Sequence, residues 1–376
     1  MKRILINLGT GLLALIYHIC HTKVPPKRIV CISRQKNTAP EDFRLIADSV
    51  RKNHPDYEVV ILAKQLQNPL KYAFHMVKQV FYIARSSCVV LDSYCIAVSL
   101  LNRRITAPVL QIWHALGDMK KFGYTALDTP GGHSSHTAAI MHMHEGYDSV
   151  LVSSKSFAKD LAAGFNVDPG ILTEIPLPRV DLLVDPDYKK SQREKILKAF
   201  PALRDKKNIV YCPTFRRVPS SNEAQAMKNL LDAVDFKHYN LIFKKHPVST
   251  QRFNDSRVLE DYPQSYNMLY VADYVISDYS TIIYEVGLLK LPVYLYAYDW
   301  ADYSEKSQLY LDLEHDVPTL FTGDAKEIMR AIEHDDFDYS AYETFIEKNI
   351  ALPKDKSCAD AVVDHIFKLI ADSKKS

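Results

Sequence analysis

Apolar runs of strand length alternate with segments of helical period along most of this chain. Residues 68–86 carry apolar side chains three or four positions apart, at Leu70, Phe74, Val77 and Phe81, which predicts an amphipathic helix. The predicted strands are RIVCIS (28–33), EVVILA (58–63), CVVLDSY (88–94), PVLQIWH (108–114), DSVLVSS (148–154), NIVYCPT (208–214), NLIFKKHP (240–247), DYVISDYS (273–280) and PVYLYAY (292–298). Continuous apolar strands separated by helices predict parallel α/β sheets that are covered on both faces.

The strand pattern is interrupted by the proline-rich stretch ILTEIPLPRVDLLVDPDY (171–188) and then restarts. A connection of this composition is typical of a domain boundary, and 376 residues are enough for two domains. We therefore predict two doubly wound, Rossmann-like domains facing a central cleft. The predicted bounds are 1–24 for an apolar N-terminal helix, 25–187 for an N-terminal domain and 188–376 for a C-terminal domain.

The N-terminal apolar segment ILINLGTGLLALIYHIC (4–20) follows Lys2 and Arg3 and precedes further basic residues. Its length is at the short limit for a membrane-spanning helix, and no small-residue cleavage site follows it. Two interpretations stay open, a helix packed on the protein and a helix lying in a membrane interface. The basic flanks favour contact with an anionic membrane surface, which predicts a peripheral location on the cytoplasmic face of the cell membrane.

Composition narrows the function classes. The formal net charge is only +2, so bulk charge does not indicate a nucleic-acid partner. Six scattered cysteines without a CxxC pair are typical of reduced core residues, not of a disulfide frame or a zinc site. We predict no metal and no cofactor. The histidines of residues 131–148 are interpreted as part of an acceptor-side loop whose role stays open; they are His133, His136, His142 and His144.

Groups suited to phosphate follow three strands of the predicted C-terminal domain. They are Thr214 and Arg216, then Lys244, Lys245 and His246, then Ser277, Asp278, Ser280 and Thr281. Ligands of an open parallel sheet bind beyond the carboxyl ends of its strands. Arginine and lysine neutralise phosphate, and the start of the helix predicted at 280–290 offers hydroxyls and free amides. Glu285, about one turn into that helix, is a candidate partner for a ribose hydroxyl.

Each of these motifs alone has a simpler explanation, such as a helix cap, a solvated sheet edge or a turn. Their convergence on one crevice is what predicts an anion-binding site. In the first domain, His114 ends the strand PVLQIWH and should face the same cleft as His246. Histidine exchanges a proton near neutral pH, as attack of a hydroxyl on phosphorus requires. His114 and His246 are therefore the predicted catalytic residues.

These motifs resemble the CDP-glycerol glycerophosphotransferase family of teichoic acid primases and polymerases. The resemblance rests on IWHALGDMKKFGY (112–124), YCPTFR (211–216), KKHP (244–247), ISDYSTIIYEVGLLKLPVYLYAYD (276–299) and LYLDLE (309–314), which span about the last two thirds of the chain. The chain departs from the family pattern in reading WHALG for WHGT, in having Ser307 and Gln308 where the family has RG, and in carrying Glu285 where aspartate is usual.

The resemblance implies a GT-B-like fold with the nucleotide in the C-terminal domain and a membrane-bound acceptor at the N-terminal one. It also implies that His114 and His246 match essential histidines of the family. The hypothesis is transfer of a polyol phosphate, with glycerol favoured, from a CDP-linked donor to a hydroxyl of a lipid-linked acceptor. This transfer would release CMP and would serve the synthesis of teichoic acid or a related cell-wall or capsule polymer. His114 acts as the base and His246 stabilises the departing CMP.

Three alternatives stay open. The first is a CDP-ribitol ribitolphosphotransferase, which the sequence does not separate from a glycerol enzyme. The second is a GT-B glycosyltransferase, which would release a nucleoside diphosphate in place of CMP. The third is a non-enzymatic, membrane-associated nucleotide-binding protein. Primase or polymerase action, the acceptor and the oligomeric state are not decided by the sequence.

Overall fold

The computed structural model describes residues 2–374 except 118, 130–131, 215, 217–221, 247–248 and 250, and it divides into two compact units. Unit 1 comprises Met1–Leu116, Lys121–Asp181 and Ala351–Ser376, and unit 2 comprises Gly117–Lys120 and Leu182–Ile350. Each unit is built around a six-stranded sheet with parallel neighbours. The predicted α/β class with doubly wound parallel sheets follows from the strands being buried on both faces.

Unit 1 has the strand order β2-β1-β3-β4-β5-β6. Its strands are β1 (Arg28–Ser33), β2 (Glu58–Ala63), β3 (Cys88–Leu91), β4 (Val109–Gln111), β5 (Ser149–Val152) and β6 (Leu172–Glu174). Its helices before the linker are α1 (Lys2–Cys20), α2 (Glu41–Asn53), α3 (Pro69–Ile83), α4 (Ile96–Leu101), α5 (Ser135–Ile140) and α6 (Ala158–Phe165). The short helix α7 (Val180–Val184) lies where unit 1 passes into unit 2.

Unit 2 has the strand order β12-β11-β10-β7-β8-β9. Its helices are α8 (Pro186–Ala199), α9 (Glu223–Ala233), α10 (Ile282–Leu288), α11 (Trp300–Lys306), α12 (Ala325–Glu333) and α13 (Tyr339–Asn349). Its strands are β7 (Lys207–Cys212), β8 (Tyr239–Phe243), β9 (Val258–Leu259), β10 (Tyr274–Ser277), β11 (Val293–Tyr296) and β12 (Phe321–Thr322). The order reverses between β7 and β10, and such a reversal opens a crevice at the carboxyl ends of the two strands.

The last helix, α14 (Cys358–Ser373), belongs to unit 1, whereas the sequence placed residues up to 376 in the C-terminal domain. The Asp181 carboxylate accepts the backbone N–H groups of Cys358 at 2.7 Å and of Ala359 at 2.9 Å. This carboxylate satisfies two amides that a helix start leaves unpaired, and α14 also packs against α2. A chain that returns to the first unit cannot be inferred from local composition.

The N-terminal helix α1 packs on unit 1 along one side. Leu13 and Tyr17 are buried, and the Tyr17 hydroxyl accepts the backbone N–H of Thr106 at 3.0 Å. The opposite side exposes a row of large apolar side chains. Among the described residues, no helix is long and apolar enough to cross a membrane.

Candidate functional site

Several residues of unit 2 that were predicted to bind the donor substrate hold the sheet together where the strand order reverses, between β7 and β10. The Ser277 hydroxyl donates to the carbonyl of Cys212 at 2.9 Å, and Asp278 accepts the backbone N–H of Thr214 at 2.7 Å. Both Ser277 and Asp278 are fully buried. They therefore shape the carboxyl edge of the sheet from inside, in contrast to the direct ligand contact that the sequence suggested.

Arg216 is occupied by protein groups, whereas the sequence assigned its guanidinium to phosphate. Nε and Nη2 donate to the two carboxylate oxygens of Asp299 at 2.9 and 2.8 Å, and Nη1 donates to Asp278 at 3.0 Å. The Arg216 side chain is only 6% exposed. Burial alone would lower its pKa, but the Asp278 and Asp299 carboxylates outweigh burial and raise it. Arg216, Asp278 and Asp299 form a buried ion group, which we call the Arg216 group.

Aromatic rings surround the Arg216 group. The guanidinium carbon lies 5.1 Å from the centre of the Tyr298 ring and 5.6 Å from the Tyr279 and Tyr303 rings. The Tyr279 hydroxyl also donates to Asp299 at 3.0 Å. Sequence reasoning missed Asp299, although it closes the block ISDYSTIIYEVGLLKLPVYLYAYD on which the family resemblance rests. The local sequence around Asp299 does not reveal that its partner is Arg216, 83 positions away.

Most of the other residues predicted to bind the donor substrate are accessible to solvent at this edge of the sheet. Lys244, Lys245, Ser280, Thr281 and Glu285 are partly exposed, as is His246. The Ser280 hydroxyl accepts the backbone N–H of Ile282 at 3.3 Å, so Ser280 lies just before the start of helix α10. Burial lowers the pKa of His246, and the positive charge of Lys244 and Lys120 lowers it further. His246 is therefore neutral at pH 7 in the unliganded protein.

His114 lies in unit 1 just beyond strand β4. Its Nδ1 is 3.1 Å from the backbone carbonyl of Asp92. Because a carbonyl only accepts hydrogen bonds, the neutral ring carries its proton on Nδ1, which leaves a lone pair on Nε2. Burial lowers the pKa of His114 to about 4, although the hydrogen bond to Asp92 partly opposes this effect. The ring is therefore neutral at pH 7, and its Nε2 is unprotonated.

The backbone around His114 is held by contacts that the sequence did not reveal. Arg179 donates from Nη2 to the carbonyl of His114 at 2.9 Å and from Nε to the buried Asp42 at 3.0 Å. Trp113 adopts a φ of +63°, a left-handed conformation that is strained for a large side chain. Its ring stacks on Phe122 at 4.7 Å. Because a left-handed residue cannot continue an extended strand, β4 ends at Gln111, earlier than predicted, and His114 lies outside the strand.

The histidine-rich segment contains two different environments. His144 is buried and its Nδ1 lies 3.0 Å from the Tyr147 hydroxyl, while His142 is exposed and lies 3.1 Å from a Glu145 oxygen. Burial lowers the pKa of His144 to about 3, which keeps this ring neutral. Within the described ranges, no group of three or more metal-binding side chains is found. His144 therefore packs in unit 1, and an acceptor-side role for His133, His136 and His142 stays a prediction.

Residues 14–368 match the model of the family described as CDP-glycerol:poly(glycerophosphate) glycerophosphotransferase. The chain belongs to this family. Membership confirms the predicted class of enzyme, a transferase of polyol phosphate from a CDP-linked donor in teichoic acid synthesis. His114, His246 and the accessible groups of unit 2 thus lie in a glycerophosphotransferase-family chain.

Curated relatives and solved structures agree with this assignment. The chain is 26% identical to a teichoic acid ribitol-phosphate primase of Bacillus spizizenii (strain ATCC 23059 / NRRL B-14472 / W23), over 97% of this chain and 98% of the relative. It is 27% identical to a teichoic acid glycerol-phosphate primase of Bacillus subtilis (strain 168), over 80% of this chain and 77% of the relative. The structure of the wall teichoic acid polymerase TagF matches with a TM-score of 0.77 at 17% identity, covering 100% of this chain and 97% of that one. The predicted GT-B-like fold is confirmed.

Proposed function

We propose that His114 is the general base of a transfer in which an acceptor hydroxyl attacks the polyol-bearing phosphorus of a CDP-polyol. The observation that carries this assignment is the Nδ1 contact with the Asp92 carbonyl, which leaves Nε2 as the only proton acceptor of the ring. A new oxygen–phosphorus bond forms, the bond to the CMP oxygen breaks, and the hydroxyl proton passes to Nε2. The lowered pKa of His114 keeps this nitrogen unprotonated before the step.

His246 is proposed to stabilise the departing CMP phosphate in unit 2. The partly exposed Lys244 and Lys245 supply positive charge at the same strand end, while Ser280, Thr281 and Thr214 offer hydroxyl groups. Glu285 is proposed to accept a hydrogen bond from the ribose. Transfers of this kind depend mainly on positioning and on neutralising phosphate charge. Arg216, Ser277 and Asp278 contribute by building the edge on which these groups stand.

Glycerol phosphate is the first candidate for the transferred group, because the family description names CDP-glycerol. Ribitol phosphate is the second candidate, because the ribitol-phosphate primase of Bacillus spizizenii aligns over nearly the whole of both chains. A lipid-linked saccharide or polyol-phosphate chain is the proposed acceptor. The proposal leaves primase and polymerase action as two outcomes of one assay.

The test incubates the purified protein with CDP-glycerol or CDP-ribitol and a lipid-linked disaccharide, and then measures nucleotide release and product mass. We expect CMP together with an acceptor that gains one or more polyol phosphates from one of the two donors. His114→Asn should abolish both signals, whereas His238→Asn, which changes an exposed histidine bound to Asp235, should leave them unchanged. CMP release at the normal rate by His114→Asn would refute the assignment of the base.

We also propose that unit 1 docks on an anionic membrane through a surface formed by helices α1 and α3. These two helices pack against each other, and their exposed side chains form two apolar rows. Their exposed fractions run from 37 to 79%, and the residues are Ile4, Leu8, Leu12, Leu15, Ile19, Leu70, Phe74, Val77 and Phe81. Arg3, Lys23, Lys71 and Lys78 are exposed in or beside these helices. An apolar face flanked by cations is typical of interfacial helices.

Vesicle sedimentation tests this surface. The double change Leu8→Ser and Phe74→Ser removes two of its most exposed side chains and should weaken binding to anionic vesicles by about tenfold or more. Val184→Ser changes an apolar side chain that is 38% exposed elsewhere, and it should have no effect. Equal sedimentation of all three proteins, or equal binding to uncharged vesicles, would contradict the proposal.

A further inference from the structure

Four residues from the first half of the chain, Gly117–Lys120, belong to unit 2. The Met119 carbonyl accepts the backbone N–H of Tyr310 at 2.9 Å, and Lys120 forms an antiparallel bridge with Leu309. Gly117 lies against Tyr284 so closely that a Cβ would fall 2.3 Å from its ring. These contacts hold Lys120 in place, although local sequence reasoning had treated it as part of the other domain.

Lys120 lies beside the donor-side groups of unit 2. Its ammonium is 5.3 Å from the centre of the Tyr303 ring, and that ring stacks at 3.9 Å on Tyr279, the residue after Asp278. Its charge also acts on His246 and on Asp278. Lys120 therefore stands at the same carboxyl edge as the predicted phosphate-binding residues.

Among the described residues, Lys120 has an aromatic ring beside its ammonium but no ion-pair partner. Within the described part of the chain, no carboxylate oxygen lies within the 4.0 Å of its Nζ that defines an ion pair. The Asp278 and Asp299 carboxylates are instead hydrogen-bonded by Arg216. A partly buried ammonium without a directly paired carboxylate among the described residues is stabilised when an anion binds beside it.

The protonation state fits an anion site. Burial lowers the pKa of Lys120 to about 8, with Asp278 opposing this effect and Arg216 adding to it. The side chain is still mostly protonated at pH 7. It therefore offers a partly desolvated positive charge, and such a charge forms stronger hydrogen bonds with phosphate than an exposed lysine does.

We propose that the Lys120 ammonium binds the diphosphate of the CDP-polyol donor. This inference rests on the proposed function and deepens it, because it assigns to Lys120 a cationic role that was predicted for Arg216 together with Lys244 or Lys245. Arg216 is held by two carboxylates, whereas Lys120 presents its charge beside His246 without such a pair. A bound diphosphate would compensate Lys120 and, by adding negative charge near His246, favour the protonated ring that stabilises departing CMP.

The test measures binding of cytidine, CMP, CDP and CDP-glycerol by calorimetry to Lys120→Met, which keeps an unbranched side chain and removes the charge. We expect affinity for CDP and CDP-glycerol to fall about ten- to a hundredfold while affinity for cytidine is unchanged. Lys120→Arg should recover part of the loss. Lys121→Met, the same change at the neighbouring position in unit 1, is the matched control and should bind every ligand normally.

A purely structural role for Lys120 predicts a different pattern, in which thermal stability and affinity for all four ligands fall together. That pattern, or unchanged affinity for CDP in Lys120→Met, would overturn the inference. If Lys120→Met does not fold, Lys120→Gln and the salt dependence of CDP affinity provide the same comparison. Wild-type protein that binds CDP but transfers no polyol phosphate would refute the proposed function alone, because the CDP measurements still decide the contact.

Discussion

Replacing Arg216 by methionine should destabilise unit 2 much more than the same change at an exposed arginine. Arg216 and Asp299 form a two-pronged pair at 2.8–2.9 Å whose side chains are 6% and 3% exposed. Arg252 and Asp261 form a two-pronged pair at 2.8 Å whose side chains are 44% and 69% exposed. The two pairs share their geometry and differ in burial. Each arginine also has a second carboxylate beside it, Asp278 at 3.0 Å from Arg216 and Glu260 at 4.0 Å from Arg252.

The expected magnitudes follow from what each substitution leaves behind. Arg216→Met leaves the buried carboxylates of Asp278 and Asp299 without their cation, which costs about 3–5 kcal/mol of unfolding free energy. Arg252→Met leaves Asp261 in contact with water, which costs at most about 1 kcal/mol. Added salt at about 1 M should cancel the smaller effect and leave most of the larger one, because the buried pair is poorly screened.

Tryptophan fluorescence during urea unfolding can measure this difference in unit 2. The chain has two tryptophans, Trp113 in unit 1 and Trp300 in unit 2. A Trp113→Phe background leaves Trp300, which follows Asp299 in the chain and lies 5.4 Å from Tyr279, as the reporter. Equal destabilisation by the two arginine changes, or a loss of CDP affinity by Arg216→Met without loss of stability, would refute the structural role of Arg216.

Two further predictions concern proton transfer and packing. Because the pKa of His114 is lowered to about 4, its neutral form persists to acidic pH, so the acid limb of kcat/KM for CMP release should lie well below 6.5; a limb near 6.5 would contradict His114 as the base. The unfolded state gains this proton near 6.5, so unfolding free energy should fall between pH 6.5 and 4, less so in His114→Asn. Gly117→Ala drives a Cβ into Tyr284 and should cost about 1–3 kcal/mol in urea unfolding, whereas Gly9→Ala meets nothing within 4 Å and should not destabilise; equal effects would argue against the packing of Gly117.

Local pattern predicted nine of the twelve strands found in the described residues, and it placed His114 close to the end of one of them. The short strands β6, β9 and β12 were not predicted. The run Ile29–Ile32 is apolar at every position, and only a strand covered on both faces buries all of it, as β1 does. His114 follows an apolar run, and the end of a parallel strand is where functional side chains gather. The exposed row on α3 was also visible as helical periodicity, and the apolar character of α1 was visible in its composition. In each case the information lies within about twenty neighbouring residues.

Tertiary structure decided which charges form ion pairs inside the protein and which remain available to a ligand. Arg216 and Lys120 look alike in the sequence, as cations near strand ends. Arg216 follows β7 and Asp299 follows β11, and both strands pair with β10, which brings together positions 83 apart in the chain. The resulting ion pair neutralises Arg216. Lys120 keeps its charge because four residues leave unit 1 and pack on unit 2. The amino-acid sequence by itself specified the elements and the chemical groups, while long-range packing selected their partners, because the energy of a charge depends on what surrounds it in three dimensions.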